Sequence, residues 1–329
     1  MSTPTRNVAL RVIELACRAP SVHNTQPWRW RVVEDATIEL YADRRRQLQV
    51  SDPSGRNLAI SCGAAIHHGF VAAQALGLAA TIELMPLRDD EDLFARVSLT
   101  SGTRTNEAIE SLQALEERCT DRRRFTSWPV PDSRLAHLAK AASGWGAHAI
   151  PITDVTARFR AEQLLKRAMA VQASDPRFAE EQREWTVHSR VDGMPMANAA
   201  PPAQDRPPTR PNRFVSASDA EAIEAADAAR VVENSDGLVA ICSAADDQRS
   251  WLEAGEALSA LWLQATHDGL SIVPLSQVIE VDETRQALHQ DVFDGMARPQ
   301  ILVRVGWLES TRTRLDRTPR RPVDEVTER

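Results

Sequence analysis

Residues 19–30 read APSVHNTQPWRW. Ser21, His23, Asn24 and Gln26 crowd hydrogen-bonding side chains into six positions, with no glycine to ease the turn, ahead of Pro27-Trp28. Such side chains can satisfy stray carbonyls of a polar turn. They can also serve a ligand, since an amide is both donor and acceptor. The second chemical group is arginine. ERCTDRRRF spans 117–125 and TPRRPVDEV spans 318–326, and 37 of the 39 basic residues are arginines, Lys140 and Lys166 being the exceptions. Any buried anion must therefore be held by guanidinium forks, which suit phosphate. Taken singly, either run also reads as an exposed charged face. A third stretch, PLSQ at 274–277, follows a long apolar segment and offers a turn of backbone N–H groups.

Other chemistry is disfavoured. Cys17, Cys62, Cys119 and Cys242 are far apart, with no CxxC pair and no zinc spacing. They read as free thiols, and no metal site is expected. His67-His68 on a long helix reads as a surface or packing pair. No GxGxxG turn for a dinucleotide is present. A formal charge of −7 disfavours nucleic acid. No apolar run approaches the ~20 residues of a membrane span. The first helix is amphipathic and charged, unlike a signal peptide. The expectation is a cytoplasmic protein with no membrane and no nucleic-acid partner.

The elements that must position these residues can be read from periodicity. Helices are expected over 7–19, ended by Pro20, over 55–76, closed by Gly77, and over 104–119. WRWRVV and TIELYAD form a hairpin around Glu34-Asp35, and AATIELMP and FARVSLT are strands. Further helices are expected at 131–143, 154–173, 176–188 and 247–268, the last ended by Gly269, with strands at DGLVAICS and RPQILVRVGWL. Trp28 and Trp30 alternate on one face and read as core. Trp185 and Trp262 could line a pocket, with helix packing the better reading. Residues 191–214 are proline-rich and suit neither helix nor central strand. CGAAIHHGFVAAQALGL and AGEALSALWLQATHDGL align without gaps, Gly63 with Gly255 and Gly77 with Gly269. Small residues at one helical spacing imply two helices in close approach. A weaker match pairs LACRAPS with LAKAASG at 138–144.

Together these segments resemble the nitroreductase superfamily of flavin mononucleotide (FMN) proteins, over nearly the whole chain, and most closely the Acg-type branch, in which two diverged halves are fused. The carriers are residues 19–30, RCTDRRRF, PLSQ, PRRP, DPSGR (52–56) and CGAAIHH (62–68). The resemblance implies an α+β nitroreductase-like fold forming an intramolecular pseudo-dimer, with halves at 1–115 and 116–329. It implies one FMN per chain, NAD(P)H as electron donor, an unidentified small-molecule acceptor such as a nitroaromatic or quinone, and no partner subunit for the flavin site. Hydride would arrive at flavin N5, with no catalytic side chain. The implied contacts are Ser21, His23, Asn24, Gln26, Pro27, Trp28 and Arg29 along the flavin. Arg118, Thr120, Arg122, Arg320 and Arg321 would meet the phosphate, and Pro274, Leu275, Ser276 and Gln277 the ring. Residues 191–214 would be a lid or linker, with Met194, Met196 and Phe214 touching the ring. A closed lid would favour a second reading, a store or sensor that sequesters FMN.

Overall fold

The computed structural model describes residues 5–34, 36–87, 89–122, 125–186, 188–194, 236–308 and 317–328. Helix α1 (Arg6–Ala16) buries Ala9, Val12, Ile13, Leu15 and Ala16 on one face. It stops earlier than Pro20, because the N–H groups of Arg18 and Ala19 tighten back onto Leu15 and Ala16 and the residue before a proline disfavours helix. Strands β1 (Trp28–Val33) and β2 (Thr37–Ala42) pair antiparallel, Trp30 opposite Leu40. Helix α2 (Arg56–Ala75), β3 (Leu78–Leu84), β4 (Leu93–Ser101) and α3 (Asn106–Glu117) follow. The expected boundary at 115/116 falls in the last turn of α3.

The second stretch contains α4 (Asp132–Ala142), β5 (His148–Pro151), α5 (Val155–Ser174), α6 (Pro176–Thr186), β6 (Gly237–Ser243), α7 (Gln248–His267) and β7 (Leu270–Leu275). It closes with α8 (Gln277–Glu280), α9 (Asp282–Asp291), β8 (Arg298–Trp307), α10 (Val323–Val326) and β9 (Thr327–Glu328). The two sheets are ordered β3-β4-β2-β1-β9 and β5-β6-β8-β7. Reading β1, β2, β3, β4 as β5, β6, β8's partner β7, and β8 turns the first order into the second reversed, so the halves repeat one topology. The fold is therefore α+β, with helices packed between two largely antiparallel sheets.

The repeat is joined where α2 crosses α7. A Cβ added at Gly63 would lie 2.0 Å from the Leu252 carbonyl oxygen, and one at Gly255 would lie 2.1 Å from that of Ile60. Only glycine permits this approach, which is why the two segments carry small residues in register. The cores interlock there. Leu252 of α7 belongs to the core under the first sheet, with Trp28 and Trp30, and Ile60 of α2 belongs to the core of the second. At the head of α2, Arg56 is buried, ion-paired to Asp246 and hydrogen-bonded to Gln300. Helix α2 is long and apolar enough to cross a membrane by composition, but 89% of that window is buried inside the protein. His67 and His68 are buried, not on the surface, because both accept or donate at the Ser259 hydroxyl of the crossing helix.

Candidate functional site

The turn after α1 is the joint of the site. His23, Asn24 and Gln26 take left-handed φ values of 48°, 55° and 50°, a region asparagine tolerates and other L-residues rarely visit. Surrounding bonds hold it there. The Ser21 hydroxyl accepts from the Gln26 N–H at 3.0 Å, and the Ser61 hydroxyl on α2 accepts from the Val22 N–H at 3.2 Å. The Asn24 amide donates to the carbonyls of Gly193 (2.8 Å) and Pro319 (3.1 Å), while its oxygen accepts from Arg320 at 2.9 Å. The Gln26 oxygen accepts from the Arg321 N–H at 2.8 Å, and its amide donates to the Val191 carbonyl at 2.9 Å. Strain of about 1–3 kcal/mol per residue persists only under such restraint. One strained turn thus bolts together α2, residues 191–193 and the tail at 319–321. An ion pair from Arg46 to Asp192 reinforces the second arm.

Two cavity lobes meet at this turn, sharing Pro20, Ser21, Thr120 and Arg122. The outer lobe, about 490 Å³, is lined by Asn24, Arg118, Met194, Arg320 and Arg321, with Arg18 and Arg317 at its rim. The inner lobe, about 90 Å³, is lined by His23, Asn57, Ser61, Trp262 and Pro274 through Gln277. Arg118 is buried, sits 4.7 Å over the Trp262 ring, and donates to the Arg18 carbonyl at 3.1 Å. Arg320 donates to the carbonyls of Arg18 and Ala19. Neither forms an ion pair with a described residue, and the Nε of each is buried without a hydrogen-bond partner. Burial drives both guanidiniums down, Arg118 to about 10 and Arg320 to about 9, and the charge of Arg118 adds to the fall at Arg320. Both remain cations at neutral pH. A buried cation beside a half-buried one, with no acid partner among the described residues, is costly unless an anion joins them. Deeper in, the buried Gln277 Oε1 also lacks a partner.

The cavity gathers Ser21, His23, Asn24, Arg118, Thr120, Arg122, Met194, Arg320 and Arg321 together with Pro274, Leu275, Ser276 and Gln277. Gln26, Pro27, Trp28 and Arg29 do not line it. Gln26 is fully buried with its amide committed to protein, Trp28 lies in the core, and Arg29 pairs with Glu328. Met196 and Phe214 lie outside the described residues, as does all of 195–214. Sequence reading missed Arg18, Asn57, Ser61 and Arg317. Asn57 follows the DPSGR segment directly and Arg317 stands three residues before Arg320, so proximity to a motif was the available signal. Trp262, weighed as helix packing, does both: it is 1% exposed yet forms part of the inner wall. Among the described residues no group of three or more potential metal ligands comes together.

No family model matches the chain. A protein of Mycobacterium tuberculosis strain H37Rv, provisionally named an NAD(P)H nitroreductase, is 33% identical over 328 residues, covering 99% of this chain and 92% of that one. The provisionally named NAD(P)H nitroreductase Acg of the same organism is 31% identical over 330 residues, covering 98% and 96%. Among solved structures, the FMN-dependent nitroreductase NfnB from Mycobacterium smegmatis, in complex with NADPH, aligns with a TM-score of 0.46 at 15% identity, over 68% of this chain and 99% of its own. A provisionally named nitroreductase from Anabaena variabilis aligns with a TM-score of 0.44 at 9% identity, over 94% and 90%. With about a third of its residues matched along nearly the whole length of such relatives, the chain belongs to the NAD(P)H nitroreductase family, in the branch that includes Acg.

Proposed function

We propose that the protein is an FMN-dependent NAD(P)H oxidoreductase with one FMN per chain. One observation carries this reading: Arg118, buried, and Arg320, half-buried with its Nε enclosed, share a 490 Å³ lobe without an acid partner among the described residues. A terminal phosphate supplies the missing charge and the acceptors for the unpartnered Nε groups, with Arg122, Arg321 and Thr120 nearby. The residues present fit the rest of the cofactor. Ser21 and Thr120 stand between the lobes, where a polyol chain would lie. The inner lobe offers the apolar Ile60, Leu258, Trp262 and Ile301 to a flat ring, and Ser276, Gln277 and Asn57 to its polar edge. That lobe is narrow, so a tricyclic ring enters only as side chains at its mouth turn aside. Bound FMN would supply hydride transfer between NAD(P)H and a nitro, quinone or similar acceptor. The chain's part is to hold the phosphate, orient the ring and exclude water. That one chain lines both lobes supports a flavin site built without a partner subunit.

A second reading, sequestration of FMN, is favoured by the described part of the 191–214 segment. Met194 is 3% exposed against the outer lobe, and Gly193, Asp192 and Val191 are each tied down. One experiment separates the readings. The cofactor of the purified protein is extracted, and the intact protein is mixed with NADPH without oxygen. One FMN per chain, bleached by NADPH and restored by a quinone, is the expected result. FAD or no flavin would overturn the proposal, and FMN that resists bleaching would establish the sequestering role.

A further inference from the structure

The repeat gives the inner lobe a counterpart. The Gly63/Gly255 and Gly77/Gly269 alignment carries Asn57 onto Arg249 and Ala64 onto Glu256, and Leu275, Ser276 and Gln277 onto Glu83, Leu84 and Met85. The LACRAPS/LAKAASG match carries Val22 onto Trp145. Those counterpart residues converge on a second cavity of about 620 Å³, on the far side of the α2–α7 crossing. Every residue lining it corresponds to one lining the inner lobe. The flavin site has thus kept its symmetry mate as a space, while the chemistry of its walls has reversed.

Where the inner lobe has Leu275 and Ala64, this cavity presents the carboxylates Glu83 and Glu256. Arg249 is engaged with Glu253 at 3.2 Å. Glu83 lines the opposite wall from β3. Glu256 is 4% exposed, lines the cavity, and has no hydrogen bond or ion pair with a described residue. Burial, with Glu253 adding to it, pushes the Glu256 carboxyl up to about 8 against the weaker opposing pull of Arg249. No described residue donates to this carboxyl, which leaves its oxygens to what enters the cavity. Trp145 is braced edge-on against His67 (4.4 Å) and Phe70 (5.2 Å), so the ring forms a fixed wall suited to a cation. His67 behind it is neutral, burial pushing it down to about 3.

We propose that this cavity is a second ligand site, taking a small organic cation with N–H donors, which the Glu256 carboxylate receives and the Trp145 ring flanks. Binding then strips the proton that Glu256 carries at neutral pH. Benzamidine is the probe: a planar amidinium able to make two parallel bonds to one carboxylate. It is titrated into the protein as purified, at pH 7, by calorimetry in two buffers of different ionisation enthalpy and by tryptophan fluorescence. Saturable binding at one per chain, with proton release, is expected. Glu256→Gln keeps the shape, cannot become a carboxylate, and should weaken binding at least tenfold. Arg118→Ala, on the other side of the crossing, should leave benzamidine binding unchanged, and neutral benzamide should bind at least tenfold more weakly than benzamidine. No saturable binding at millimolar benzamidine, equal affinity in Glu256→Gln, or loss of binding in Arg118→Ala would overturn the proposal.

Discussion

Arg118 and Arg320 show how a residue can be poorly placed for stability and well placed for a ligand. Each lies beside a like charge, Arg118 buried and Arg320 half-buried, and replacing buried charges by apolar groups of similar volume often stabilises, by about 1–4 kcal/mol. Arg118→Met keeps a long stem over Trp262 and removes one charge. It should raise the thermal midpoint of the flavin-free protein and weaken FMN by about 1.5–3 kcal/mol, the range for a charge-assisted hydrogen bond. Melting curves and fluorescence titration of flavin-free protein check the two effects. A fall in midpoint with unchanged affinity would mean that Arg118 is structural. At this scale the sequence exposed the polar turn and the arginine runs, because their types are unusual where they occur. It did not show where the ligand-facing stretch stops. From Trp28 onward the chain is a strand, and successive side chains alternate between the core and the outer face, where Arg29 lies over Tyr41 (5.9 Å). Neither face is the cavity.

The elements were legible where periodicity and caps agreed. The long helices end at Gly77 and Gly269, whose φ values of 79° and 74° suit the left-handed cap. Strands β5 and β7 escaped reading because each contains a proline, Pro151 and Pro274, and proline argues against a central strand. Both are edge strands of the second sheet, where a missing N–H is tolerated. The glycine pairing predicted a close crossing, and its geometry makes a sharp test. Gly63→Ala drives a methyl into the Leu252 carbonyl and should destabilise by at least about 1–3 kcal/mol. Gly69→Ala, on the same helix, meets Ala16 Cβ at an ordinary 3.5 Å, and should be neutral or stabilise by up to ~1 kcal/mol. Urea midpoints of the two variants decide it; equal effects would mean that the crossing relaxes.

For the whole molecule, the repeat was visible as a short alignment, but the way the chain closes on itself was not. The tail pairs β9 with β1 in parallel, Trp30 beside Thr327, and Glu328 bonds Arg31 across a sequence separation of 297. No local pattern announces a two-residue strand whose partner lies so far away. That pairing also has a kinetic meaning. Closing so long a loop is entropically slow, and distant pairings form late. Arg320 and Arg321 ride on the segment that makes this last closure, held by Asn24 and Gln26. The arginine-lined lobe is therefore expected to close after the cores have formed. On dilution from urea with FMN present, tryptophan burial should recover first and flavin quenching should lag behind it. A single shared rate would mean that the tail docks with the cores. If the lag is found, a newly folding chain passes through a compact state that cannot yet hold flavin, and the cofactor reports completion of folding rather than guiding it.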